Sequence, residues 1–388
     1  MTVKKRSVYL CYAMNFIAAI CLTIIGPSLP RLGADFDLDL GQMGLLFTFE
    51  FVGFTAFTFF SGIIADYIGK RKTAILSLIM LTVSIFVLTL SPNFVFLGVV
   101  LVFLGGGMGV MEILSNSLLS DICDEEDKTY QIVFMQCFFG AGAVVGPILI
   151  SLAYSYGVSW RSVYQVLGIA LIALTVWFLL NKFPPLPAAA KIDLRGFANL
   201  ISDKKFLLIC LCMFLYTGAE SCGWGWMAEF TESVMRFSVL ESGAAVAVFW
   251  LAMTISRLIA AKLLHKVDVR TFIMGFSLSA GIICAIMGFV DNTVLTWIII
   301  ILLGFACSGI WGMILSYGAA IFKKNTGTTF ATISASGGVG MSVIPALMGV
   351  TGKYVGLRWS LVFPAVSFVL IMVLFIIIPG MTPKKENL

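Results

Sequence analysis

Twelve stretches of about 20 mostly apolar residues take up nearly the whole chain. A helix of that length crosses the ~30 Å hydrocarbon layer of a bilayer, and only helices or closed barrels satisfy their own backbone groups in lipid. The stretches fall at 8–29, 44–66, 73–90, 95–119, 132–155, 163–180, 206–228, 240–263, 271–289, 294–321, 328–351 and 359–379. With 60% hydrophobic and 12% charged residues among 388, a water-soluble domain would expose large apolar surface. The expectation is an all-α membrane protein of twelve transmembrane helices. The first stretch follows a basic start, as in a signal peptide. It runs past ~20 residues without a small-residue cleavage site and is therefore expected to be a retained helix.

The longest interruption, Asn181 to Lys205, is rich in Pro and charge and divides the spans six and six. Expected domains are an N-terminal bundle over 1–181, a cytosolic linker over 182–205 and a C-terminal bundle over 206–388. The net charge is +5, but the basic residues lie mostly between spans, so nucleic acid is not the expected partner. Nineteen of the 25 Lys and Arg fall in segments on the terminus side and five on the other. The positive-inside rule then places both termini in the cytosol, as in a bacterial inner membrane. At an offset of 199, Gly44 matches Gly243, Gly105 matches Gly304 and Trp160 matches Trp359. Two parallel six-helix repeats predict a pseudo-two-fold axis along the membrane normal, with a binding site between them near the midplane.

The composition also excludes functions. The nine Cys lack CxxC spacing and lie mostly in apolar runs, so no metal site, disulfide framework or cofactor is expected. "GGGMG" sits inside a span with no preceding strand, and no G-x-x-x-x-G-K-[ST] occurs. An enzyme is not indicated. The one His, His265, falls on a loop, which leaves no buried imidazole relay.

Polar residues inside spans carry the functional signal, because an ionisable group in lipid is costly and faces a cavity or a partner. Glu112 lies nine residues before Asp121, ~13 Å into its helix at ~1.5 Å per residue. Asn116 follows one turn later on the same face. A carboxyl beside a carboxamide suits sugar hydroxyls, which donate and accept. Glu220 and Trp224 also share a face, an acid beside an indole. Gln136, Trp250 and Asn15 are further cavity candidates, and Trp311 joins them because the repeat offset places it opposite Glu112. Glu50 is either a third titrating acid or an interfacial one. Arg257 either gates or snorkels toward the basic end of its span.

"GIIADYIGKRK" between spans two and three resembles the signature loop of the major facilitator superfamily, G-x-x-x-D-x-x-G-[RK]-x-[RK]. Gly62, Asp66, Gly69, Lys70 and Lys72 match it, and Arg71 adds a further base. The resemblance implies conformational gating by this loop, which braces one state against the other half. The second copy, "AKLLHKVDVRT", keeps Arg270 against Arg71 but has His265 in place of Asp66. "EILSNS", "QCFFGAGA", "YTGAESCGW" and "SRL" further resemble the fucose permease branch. That implies proton-coupled uptake of a monosaccharide, with Glu112 as proton and sugar-sensing carboxyl and Asn116 and Gln136 as sugar contacts. Two departures stand out: Gly26 occupies the place of the branch's span-one Asp, and Glu220 replaces its span-seven amide.

The functional expectation is a monomeric secondary transporter for a sugar-like solute and protons, with Glu112 and Glu220 as the titrating set. A proton-linked exporter of amphiphilic compounds is the alternative, favoured by 18 Met and 33 Phe. A ligand sensor would need an output domain that the short loops do not supply.

Overall fold

The computed structural model describes residues 3–183, 200–263, 268–322 and 326–378, and every regular element among them is a helix. Span one is α1 (Val3–Thr23) with α2 (Ile25–Phe36). Spans two to six are α3 (Leu40–Ile68), α4 (Lys70–Leu88), α5 (Phe94–Ile122), α6 (Glu125–Ser155) and α7 (Trp160–Leu180). Span seven is α8 (Lys204–Gly225), followed by the short α9 (Met227–Ser233). Spans eight and nine are α10 (Val239–Leu263) and α11 (Val269–Met287). Span ten is split into α12 (Thr293–Ala306) and α13 (Ile310–Ile321). Span eleven is α14 (Thr326–Val355), and span twelve joins α15 (Leu357–Ser360) to α16 (Val362–Ile377). Among the described residues, twelve spans are therefore long and apolar enough to cross a membrane. His265 and most of the expected linker lie outside the described residues.

The helices run past the expected span limits because polar caps extend them beyond the hydrocarbon. α3 starts at Leu40 rather than 44 because Asp39 closes a capping box. Its carboxylate accepts the Gln42 N–H at 2.9 Å, and the Gln42 side-chain oxygen accepts the Asp39 N–H at 3.0 Å. Pro30 does not end span one, and α2 carries it to Phe36. Lys353 beside Asp39, 2.8 Å away, holds that carboxyl below its ordinary range, helped by the Gln42 N–H. A depressed carboxylate stabilises above its unfolded pKa and loses that contribution as pH falls through the folded value. Asp39→Ala is expected to lower stability by about 1 kcal/mol through the lost cap. Thermal unfolding at neutral pH and at about pH 3 measures it, and the gap from wild type should narrow at the lower pH.

The sequence repeat is a repeat of contacts. Gly105 of α5 lies so close to α3 that an added Cβ would overlap the Glu50 carbonyl. Gly304 of α12 meets the Phe249 carbonyl of α10 in the same way, 199 residues on. Asn93 and Asn292, at the same offset, each cap the helix that follows. Arg71 donates to the carbonyls of Leu179 and Asn181 at the end of α7. Arg270 donates to those of Phe375 and Ile376 at the end of α16. Cationic groups on a helix's last carbonyls satisfy its orphan acceptors, so each repeat closes its sixth helix with the same arginine.

Candidate substrate crevice

Alternating spans place Val3, Gly69 and Cys123 on one face, here the terminus face, and Asp39, Ser91 and Ser233 on the far face. Contacts between the first and last six spans gather toward the far face. There Arg31 bridges both Glu232 oxygens at 2.6 Å and Lys353 bridges Asp39. Gly44 rests on Pro345 and Ala346, and Gly243 on Pro147 and Ser151. These are pseudo-equivalent glycines seated on the proline-bearing span of the other half. Phe47 and Phe51 of α3 meet the Trp224 ring at 6.3 and 6.1 Å, Trp224 meets Trp250 at 6.2 Å, and Trp250 meets Phe139 of α6 at 6.1 Å. Small residues that let backbones touch, backed by interlocked rings, make a dry seal. Toward the terminus face, Thr55 meets Gly338 and Thr254 meets Gly140. Beyond them Phe59, Phe60, Val133 and Phe134 are exposed.

On the first-half wall the structure joins three expected residues. Glu112 is half-buried, and among the described residues its carboxylate has no hydrogen bond or ion pair. Asn116 donates to the Glu112 carbonyl at 2.9 Å, and Gln136 donates to Asn116 Oδ1 at 3.4 Å. The amides thus tie α5 to α6 and leave the carboxylate available.

On the second-half wall Glu220 is half-buried beside the Tyr216 hydroxyl, with Arg257 as a charged neighbour beyond contact. Tyr216 donates to the Cys307 carbonyl at 2.7 Å, in the gap between α12 and α13. Arg257 does not snorkel: its guanidinium reaches back one turn toward mid-bilayer, to Met253 Sδ at 3.8 Å. Trp311, on the first turn of α13, is 45% exposed. The split of span ten is not among the features expected from the sequence. Its one signal was Ser308-Gly309 within an apolar run, and Gly309 takes φ +75° there.

Four other expected residues sit elsewhere. Trp224 and Trp250 belong to the ring seal, 2% and 4% exposed. Asn15 is fully buried and donates to the Met135 carbonyl at 3.2 Å, which locks α1 to α6. Glu50 is 1% exposed inside the first six spans and lines a recess of about 10 Å³ with Cys21, Ile85 and Tyr164, space for about one water. Gly26 explains the missing acid. A Cβ there would lie 2.9 Å from the Trp224 carbonyl, so the far-end seal leaves no room for a carboxylate.

A larger recess of about 620 Å³ opens at the far face between Asp39, Met43, Glu229, Glu232 and Lys353. Burial, then the nearby Glu232 charge, raise the Glu229 carboxyl above its ordinary range. The recess is the mouth of the sealed side, remote from Glu112 and Glu220.

The signature loop braces its own half in this structure. Gly69, at φ +89°, joins α3 to α4. Lys70 pairs with Asp121 at 2.6 Å. Arg71 holds the end of α7, while Lys72 and Gly62 are exposed. The Asp66 side chain lies outside the described ones.

Comparison with known proteins agrees with this architecture. The sequence profile of the Major Facilitator Superfamily matches residues 11–320 and 209–388. The protein TsgA homolog of Buchnera aphidicola subsp. Baizongia pistaciae is 22% identical over 379 residues, covering 97% of this chain and 95% of that protein. The E. coli fucose:proton symporter FucP superposes with TM-score 0.67 at 16% identity, covering 96% and 98% of the two chains. A bacterial homolog of the human lysosomal transporter Spinster, inward-facing and occupied, gives 0.79 at 16% identity, covering 96% and 95%. Such identities carry the fold alone. The profile spans nearly the whole chain, and this multi-pass membrane protein, a transporter and not an enzyme, belongs to the major facilitator superfamily.

Proposed function

We propose that the chain imports a monosaccharide or related polyol with protons, by alternating access between its two six-span units. The carrying observation is Glu112: a half-buried carboxylate without a protein partner among the described residues, one turn from the Asn116–Gln136 amide pair. Acid and amides together suit hydroxyls that donate and accept. In this reading Glu220 supplies the second titrating carboxyl, and Trp311 offers a ring face for apolar C–H surface. Both termini are cytosolic, the far face is periplasmic, and the conformation is the inward-open one. The unit works as a monomer in the inner membrane. FucP's own activity is the supporting analogy. Trp224 and Trp250 act on the substrate by shaping the seal, and Asn15 by holding α1 against α6.

Thermal unfolding with a panel of monosaccharides and polyols tests the reading, since ligand at 100-fold its Kd adds ≈ 2.7 kcal/mol. Glu112→Gln should weaken that stabilisation by about ten-fold in Kd, as expected for one charge-assisted hydrogen bond. In proteoliposomes Glu220→Gln should keep sugar binding and lose sugar-driven proton movement. Full coupling in that variant excludes Glu220 as an essential carrier. One observation favours export of amphiphiles instead: rings line α6, with Tyr130 stacked on Phe134 at 5.8 Å and Tyr12 on Phe138 at 4.8 Å. Stabilisation by cationic dyes alone establishes that second reading.

A further inference from the structure

We propose that the split in span ten, together with Arg257, is an anion subsite, and that the transported sugar carries a carboxylate. This rests on the sugar reading above and narrows it.

The split is a local device, not a demand of the fold. Its pseudo-equivalent, Met108 to Val110 at the offset of 199, runs unbroken through α5 despite denser glycine. It falls near mid-membrane, with the 14 residues of α12 before it and the 12 of α13 after it. The position before α13 has no side-chain cap, and the first backbone bond of the new helix runs from the Met313 N–H to the Gly309 carbonyl at 3.1 Å. The preceding N–H groups therefore need an acceptor that lipid cannot provide, and the helix dipole asks for a negative one. Ser308, within the split, is fully buried, and its hydroxyl has no partner.

Arg257 brings the charge. Ser256 beside it donates to the Phe305 carbonyl at 2.9 Å, and Ala260, one turn on, lies 3.8 Å from a Cβ built on Gly309. That part of α10 is thus held against the split. No carboxylate among the described residues comes within ion-pair distance of the guanidinium, and Glu220 influences it from further off. A cation is the wrong guest beside the Arg257 guanidinium, and two of the nearby acceptors, the Phe305 and Cys307 carbonyls, already accept the Ser256 and Tyr216 hydroxyls. The donors gathered there, backbone N–H groups, a hydroxyl and a guanidinium, are the set that holds a carboxylate in a fork. Open space adjoins: a Cβ on Gly312 would meet nothing within 4 Å, and the exposed Trp311 stands beside it.

Thermal stabilisation at neutral pH is measured for neutral hexoses, for the aldonates and uronates derived from them, and for inorganic phosphate and sulfate. The expected result is at least ten-fold tighter binding of sugar acids than of their neutral parents. Arg257→Gln should bring the acids down to the parents' affinity, and Arg257→Lys should restore part of the gap. Equal binding of acids and neutral sugars by the wild type overturns the subsite and leaves the sugar reading standing. Binding of phosphate or sulfate as tight as that of the sugar acids overturns the carboxylate assignment. Stabilisation by none of the sugars or acids overturns both readings. The wild-type comparison needs no variant to fold.

Discussion

Gly243→Val is expected to yield a folded protein that no longer closes at the far face and transports at least about 100-fold more slowly. A Cβ at this position would overlap Ser151 and approach the Pro147 carbonyl to 2.8 Å, and both belong to the other six-span unit. The clash exists only while the two units touch there. Overpacking of this kind costs about 3 kcal/mol, which moves a two-state equilibrium by roughly a hundred-fold. Spin labels on α2 and α9, which the Arg31–Glu232 pair holds together, should separate in the variant. Gly275, where a Cβ meets nothing within 4 Å, provides the control, and Gly275→Ala should leave both distance and rate unchanged. A wild-type label distance in folded Gly243→Val would show that the seal does not depend on this contact.

Gly53→Val should instead abolish assembly of the first six spans. A side chain there would overlap the Val102 carbonyl of α5, within the same unit. The α3–α5 crossing is made by backbone against backbone, with Gly105 completing it from the other side. No rotamer or hinge relieves that overlap, so the expected loss is on the order of 3 kcal/mol or more, a large share of a typical domain's margin of about 5–15 kcal/mol. The checks are yield in detergent and a monodisperse elution profile. Recovery of a folded variant with wild-type thermal stability would contradict the crossing described. Gly53 and Gly243 are thus both glycines with no room for a Cβ, one against backbone and one against a side chain, with different consequences. One contact belongs to every conformation of its unit, and the other to a single state of the transport cycle.

Much of the candidate crevice was legible along the chain. Glu112 and Asn116 are visible from one-turn spacing and the cost of an acid in lipid. Gln136 joins them through the 3.4 Å bond that the structure supplies. Trp224 illustrates the opposite. Its spacing from Glu220 puts both on one side of α8, but α3 of the other unit presents Phe47 and Phe51 to the indole and draws it into the seal. Helical spacing says which residues share a face, not what stands opposite. Glu50 shows the same limit, since a period of 3.6 cannot tell the interior of a unit from the gap between units.

By itself the sequence determined the twelve spans and the repeat, including the match of Arg270 with Arg71; that these arginines close the sixth helix of each repeat came from the structure. The spans and the repeat follow from the length of apolar runs and from residues matched at a fixed offset, both local properties of the chain. The tertiary structure alone decided which end is shut, that Gly26 has no room for an acid, and that span ten breaks beside Arg257. Each of these depends on what another helix places within a few ångströms, and in a bilayer, where apolar surface is buried on every side, such contacts leave no periodic trace in the sequence.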